Sequence, residues 1–129
     1  MASARKQLLL VDPHSLFRRT VAMVARELDL ADVHEASSIE LAQRQLEERR
    51  YDALLLDISD GLASLSLIQS LRQGTLRSSA DLPVALTAEA VDAGTLGLFK
   101  PLGIRRVMLK PFKVKTALEV VTALTGPGH

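Results

Sequence analysis

The sequence has no cysteine, no tryptophan, only four other aromatic residues (Phe17, Tyr51, Phe99 and Phe112) and almost no excess of charge of either sign. Without cysteine there is no disulfide framework, no thiolate zinc site and no cysteine nucleophile. The 16 basic and 15 acidic residues leave a net charge of +1, so no global field draws nucleic acid or an anionic membrane. The pairs Arg49-Arg50 and Arg105-Arg106 are not interleaved with aromatics, as a single-strand-binding surface would require, and they read as solvated ends of elements. No apolar run approaches the roughly 20 residues of a membrane span, and residues Met1 to Lys6 lack the apolar segment of a signal peptide. The expectation is a cytoplasmic protein with neither membrane nor nucleic acid as a direct partner.

What is present is apolar and patterned. With 129 residues, 47% hydrophobic and 24% charged, the chain is expected to form one globular domain over 1-129, with its core at about 8-125 and short tails up to about Gln7 and from Gly126. It contains no internal repeat and no low-complexity segment. Two runs stop abruptly at a carboxylate: Leu8-Leu9-Leu10-Val11 before Asp12, and Ala53-Leu54-Leu55-Leu56 before Asp57. Runs apolar at every position suit strands covered on both faces.

Between and after these runs the period changes. Phe17, Val21, Val24 and Leu28 recur at helical spacing over Leu16 to Leu28, leaving Arg18, Arg19, Arg26 and Glu27 to the wet face. Val33-His34-Glu35-Ala36 alternates, as an edge strand does, with His34 exposed. Ser37-Ser38-Ile39-Glu40 reads as a capping box, in which Ser37 accepts from the Glu40 N–H and opens a helix to about Arg50 that buries Ile39, Ala42 and Leu46. After Ser59-Asp60-Gly61, the residues Leu65, Ile68 and Leu71 mark a third helix. A Gly- and Ser-containing loop from Gln73 to Asp81 leads to a strand over Leu82 to Leu86, with Pro83 at its start and Thr87 closing it. From about Ala90 to Phe99 a short or mobile helix is expected, because Gly94 and Gly97 each cost roughly 1 kcal/mol relative to alanine. Arg106 to Leu109 form a fifth strand that ends at Lys110-Pro111. Val114, Ala117, Leu118, Val121 and Leu124 line a closing helix.

Strict alternation of strand and helix predicts an α/β fold, with parallel strands joined by right-handed crossovers and helices on both faces. All strands then end at one edge of the sheet, which gathers Asp12, Asp57, Thr87 and Lys110 where such folds bind ligands.

At these residues the chain resembles the receiver domain of two-component response regulators, from about Leu8 to Leu124. The matching pieces, in order, are Leu-Leu-Leu-Val-Asp at 8 to 12, Leu-Leu-Leu-Asp at 54 to 57, Ala-Leu-Thr-Ala at 85 to 88 and Lys-Pro-Phe at 110 to 112. The resemblance implies a flavodoxin-like (βα)5 doubly wound sheet with five parallel strands in the order 2-1-3-4-5. It implies Asp57 as phosphoacceptor, Thr87 as hydrogen-bond donor to the phosphoryl group and Lys110 as its neutralising cation. It also implies magnesium near Asp12, Asp57 and Ser59, and a cis Lys110-Pro111 bond. The implied partners are a histidine kinase or phosphotransfer protein, a downstream effector, and a second copy through the fourth helix, fifth strand and fifth helix. Beyond self-phosphotransfer and autodephosphorylation at Asp57, no enzymatic activity is implied.

Three departures bear on that reading. Pro13 stands where the family has a second acid that ligates magnesium, the loop after Asp57 is short, and Val107 replaces the aromatic residue usual three positions before the lysine. They favour the alternative of a pseudo-receiver, an interaction module that no longer binds magnesium or is phosphorylated. A flavin or nucleotide site on the same architecture lacks a glycine-rich phosphate loop after the first strand. Individual residues keep plainer readings too: Asp57 as a loop or cap carboxylate, Asp12 as a cap of the first helix, Asp60 as a cap of the third helix or a substitute for the missing acid. Thr87 also reads as a strand-end hydroxyl, Lys110 as a snorkelling side chain, although its place before Pro111 favours the site, and His14 as either solvated or at the pocket mouth.

Overall fold

The two apolar runs become β1 (Gln7–Val11) and β3 (Ala53–Asp57), the inner strands around which the other elements are placed. The structure, a computed structural model, describes residues 5–126; most of the two tails, including His129, lies outside them. In chain order the remaining elements are α1 (Ser15–Glu27), β2 (Asp32–Ala36), α2 (Ile39–Glu48), α3 (Gly61–Arg72), β4 (Val84–Ala88), α4 (Ala93–Phe99), β5 (Ile104–Leu109) and α5 (Val114–Thr125), with a 3-10 turn at Lys100–Leu102. The five strands pair in parallel in the order β2-β1-β3-β4-β5.

Because side chains alternate along a strand, β1 and β3 divide their leucines between two cores. Leu9, Val11, Leu54 and Leu56 meet Ala42 and Leu46 of α2, Leu67, Ile68 and Leu71 of α3, and Phe99 of α4. Leu8, Leu10 and Leu55 meet Val21, Ala22 and Ala25 of α1 and Ala117, Val120, Val121 and Leu124 of α5. Each fully buried leucine contributes about 1.5–3 kcal/mol, so the inner strands are anchored from both sides.

The face of α1 differs from the expected stripe. Arg18, Val21, Ala22 and Ala25 are its buried residues, while Leu28 is exposed at the C-cap. Ala22 and Ala25 let the helix lie close to the sheet, and Arg18 enters on the same face rather than facing water. The cap of α2 lies one residue later than expected: Ser38, not Ser37, accepts from a backbone N–H, that of Leu41 at 3.2 Å. Strand β4 runs two residues later than expected, so Thr87 lies inside it, and β5 begins two residues earlier. His34 is half-buried on β2, its ring edge-on to Tyr51, rather than exposed. The outer edge of β2 is closed by side chains: Arg26 donates to the Val33 carbonyl at 2.6 Å and Gln45 to that of Glu35 at 3.1 Å, which blunts edge pairing.

Arg72 ties the end of α3 to two loops that lead into strands. Its guanidinium donates to the carbonyls of Ala80 (2.9 Å), Leu82 (2.7 Å) and Leu102 (2.7 Å). Burial lowers its pKa, with Arg105 adding to the effect against Asp81. Next to it Gly103 turns the chain with φ +73°, a left-handed conformation open to glycine at little cost.

Candidate functional site

Four strand ends bring the site together. Asp12 follows β1 and stays in register with β2 through its N–H, which donates to the Ala36 carbonyl at 3.1 Å. Asp57 ends β3 directly beside Thr87 of β4. The Lys110 N–H donates to the Ala88 carbonyl at 2.7 Å, and the Lys110–Pro111 peptide is cis.

The side chains converge in the same way. The Lys110 ammonium donates to Asp57 Oδ2 at 2.7 Å and to Asp12 Oδ2 at 2.8 Å, joining residues 98 positions apart in the chain. Asp57 Oδ2 also accepts, at 3.4 Å, from the Thr87 hydroxyl. Its other oxygen accepts from the Ser59 N–H at 2.9 Å and from the Ser59 hydroxyl. Phe17 of α1 lies under the ammonium, 5.6 Å from it to the ring centroid, and packs edge-on against Phe112.

Two residues join the site that the sequence left at its margin or outside it. His14 places Nδ1 3.0 Å from Asp12 Oδ1 and 3.3 Å from the Lys110 ammonium, and its N–H donates to Asp12 Oδ1 at 2.8 Å. Arg18 donates to the Asp12 carbonyl at 2.8 Å and to Glu35 at 3.1 Å, clamping the backbone that carries Asp12. The signal for Arg18 was its spacing from Ala22 and Ala25, a face of small residues able to approach the sheet. Two capping readings are not realised: α1 is opened at His14 rather than by the Asp12 side chain, and Asp60 sits at the N-cap of α3 without a side-chain cap bond.

Asp12 and Asp57 are 1% and 3% exposed. Burial pushes the Asp57 pKa up, but hydrogen bonds from Lys110 and Ser59 outweigh it and hold the carboxyl below its ordinary value. Burial likewise pushes Lys110 down, and the hydrogen bonds to Asp12 and Asp57 reverse this and raise it. The ion pair therefore keeps Asp57 as an anion, which is the form that attacks an electrophile. Two carboxylates against one ammonium leave the pocket one negative charge in excess. Asp57 opens on one side into a cavity of about 230 Å³ walled by Val11, Pro13, Ser37, Ser59 and Asp60.

Whether this pocket suits magnesium depends on its donors. Magnesium takes an octahedron of oxygens at about 2.0–2.1 Å and keeps several waters. Here Pro13 offers no side-chain donor; beside the Ser59 hydroxyl on Asp57, the third histidine or acidic ligand gathered with Asp12 and Asp57 is the His14 imidazole nitrogen, these three within 4.8 Å of one another. The donor set does not fit the magnesium that the resemblance implies.

No protein-family model matches the sequence, and no curated protein does. The fold, by contrast, has many counterparts among solved structures. A response regulator from Thermotoga maritima is 25% identical with a TM-score of 0.77, covering 94% of this chain and 98% of its own. The chemotaxis protein CheY4 of Vibrio cholerae is 17% identical with a TM-score of 0.80, covering 94% and 99%. A response regulator from Burkholderia pseudomallei, solved with a phosphorylated aspartic acid, calcium and citrate, is 20% identical with a TM-score of 0.74, covering 95% of this chain and 67% of its own. Among the described residues no helix is long and apolar enough to cross a membrane. Strand order, helix placement and these counterparts together give the chain the flavodoxin-like fold of the response-regulator receiver domains.

Proposed function

We propose that the chain is a receiver that accepts a phosphoryl group on Asp57 from a phosphohistidine of a kinase or phosphotransfer protein and signals through protein contacts. The observation that carries this reading is the Lys110 ammonium held 2.7 Å from Asp57 Oδ2 at the end of the central strand. A carboxylate attacks phosphorus effectively when the charge on the transferring group is met by fixed donors. In the transfer an Asp57 oxygen forms a bond to phosphorus, the bond from phosphorus to the donor's nitrogen breaks, and the departing imidazole takes a proton from solvent. Lys110 and the Thr87 hydroxyl already face Oδ2 and are placed to pass from the carboxylate to the phosphoryl oxygens. Asp12 then retains Lys110 beside the new group, and Arg18 holds the Asp12 backbone in place.

The Burkholderia pseudomallei response regulator carries a phosphorylated aspartic acid, which supports the same chemistry on this fold. The pseudo-receiver reading has its own support in Pro13 and the poor fit to magnesium. Output would pass to an effector or to a second copy of the chain through the face of α4, β5 and α5, where Leu98 and Leu109 are exposed.

Incubation with a small phosphodonor, read by intact mass, separates the two readings. The receiver gains one phosphoryl group and Asp57→Asn gains none. An unchanged wild-type mass with every donor tried decides for the pseudo-receiver.

A further inference from the structure

The Lys110 ammonium sits where a metal ion would be held by three side chains: 2.8 Å from Asp12 Oδ2, 2.7 Å from Asp57 Oδ2 and 3.3 Å from His14 Nδ1. We propose that Asp12, His14 and Asp57 form a site for an imidazole-accepting divalent ion of the zinc type, which takes the place of the ammonium. The inference concerns the pocket of the proposed phosphoacceptor, but it does not require that Asp57 be phosphorylated.

The local chain explains how the imidazole reaches this position. Pro13 removes one carboxylate and fixes its own φ, and the turn it starts brings the His14 N–H back to Asp12 Oδ1 at 2.8 Å. The same turn lays the ring beside that carboxylate. The residue after Pro13 thus supplies the third donor that Pro13 lacks.

Donor chemistry sets the ion class. Carboxylates with waters suit magnesium, whereas imidazole suits zinc and its neighbours, and three protein ligands with an open position form a common zinc arrangement. The ligating atoms lie 2.7, 2.8 and 3.3 Å from the ammonium position, so zinc bonds of about 2.0–2.2 Å require the two carboxylates to draw in by roughly 0.6 Å and the His14 ring by about 1 Å. The His14 side chain is 55% exposed, which gives both the freedom to turn and a route from solvent. The contact of Nδ1 with Asp12 Oδ1 uses a proton on Nδ1; moving that proton to Nε2 as the ion enters gives Nδ1 a lone pair for it. Charge points the same way: a divalent ion neutralises both carboxylates, while the single ammonium leaves one unbalanced. Freed of them, Lys110 swings into the neighbouring cavity lined by Phe17, Glu89 and Phe112.

Titration calorimetry of the chelator-stripped full chain with zinc chloride, and separately with magnesium chloride, tests this site. One zinc ion is expected to bind, more tightly than magnesium, with affinity falling more than about tenfold in His14→Ala and unchanged in His34→Ala. Lys110→Met, which removes the competing cation, is expected to bind zinc more tightly than wild type. Cobalt as a spectroscopic stand-in is expected to develop visible bands that His14→Ala abolishes. Zinc binding that is absent, no tighter than magnesium, or indifferent to His14→Ala overturns the proposal. Zinc binding through His14 in a protein that takes no phosphoryl group supports this site and contradicts the phosphoacceptor reading; the reverse result does the opposite.

Discussion

Lys110 faces two buried carboxylates with one charge, so its removal leaves both anions without a counter-ion. Lys110→Met is expected to lose about 3–5 kcal/mol of stability, whereas Asp57→Asn, which leaves a balanced Asp12–Lys110 pair, is expected to lose less than about 1 kcal/mol or to gain. Urea unfolding of the two variants checks the contrast, and equal losses would contradict it. Arg18→Ala breaks charged hydrogen bonds to Asp12 and Glu35 and is expected to lose about 1.5–3 kcal/mol in the same assay. The residues that end apolar runs, Asp12, Asp57 and Lys110, were legible in the sequence, because a charge closing a buried strand has few other places to go. Thr87 was legible through its neighbours, although it lies inside β4. Arg18 was not, since a charged residue on a helix reads as solvated until the alanines beside it show how close the helix lies. His14 was visible only as a residue near the pocket; its approach to Asp12 depends on a three-residue turn that periodicity does not report.

At the level of elements, every strand and α-helix is legible in the sequence, whereas their limits depend on local geometry that periodicity does not carry. Periodicity identifies a buried face, but a cap depends on which hydroxyl lies in an extended conformation, and at α2 that residue is Ser38, with φ −151° and ψ 163°. Ser38→Ala is therefore expected to lose about 1 kcal/mol and Ser37→Ala almost nothing, as measured by thermal unfolding. The opposite order would restore the capping box first read from the sequence. Strand β4 begins after Pro83 rather than at Leu82, yet Leu82 is still buried, so its hydrophobicity was a true signal of burial without being one of pairing. The glycines expected to shorten the fourth helix do accompany a short one, seven residues long, capped by Asp92.

For the molecule as a whole, the sheet order places β3 at the centre with β1 and β4 beside it, and the site needs side chains from β1, β3, β4 and the end of β5 brought to one edge. Stability should therefore follow the titration of the pocket. The folded Asp57 pKa lies below its unfolded value, so its contribution is present above about pH 4 and is lost as pH falls through the lowered value. The folded Lys110 pKa is raised, so its contribution is present below about pH 10 and is lost as pH rises through the raised value. Burial and Arg49 lower the pKa of His34 against the pull of Asp32; the unfolded chain then binds more protons just below pH 6.5, and stability falls with acidification there. A pH series of urea midpoints is expected to show that step in wild type and not in His34→Gln. The central claim, that this assembled pocket makes Asp57 a phosphoacceptor, is tested most directly by locating the phosphoryl group. After reaction with a small phosphodonor, peptide mass mapping should place one hydroxylamine-labile phosphoryl group on the peptide containing Asp57, with none in Asp57→Asn. A phosphoryl group on another residue, or none on any peptide, would contradict the account.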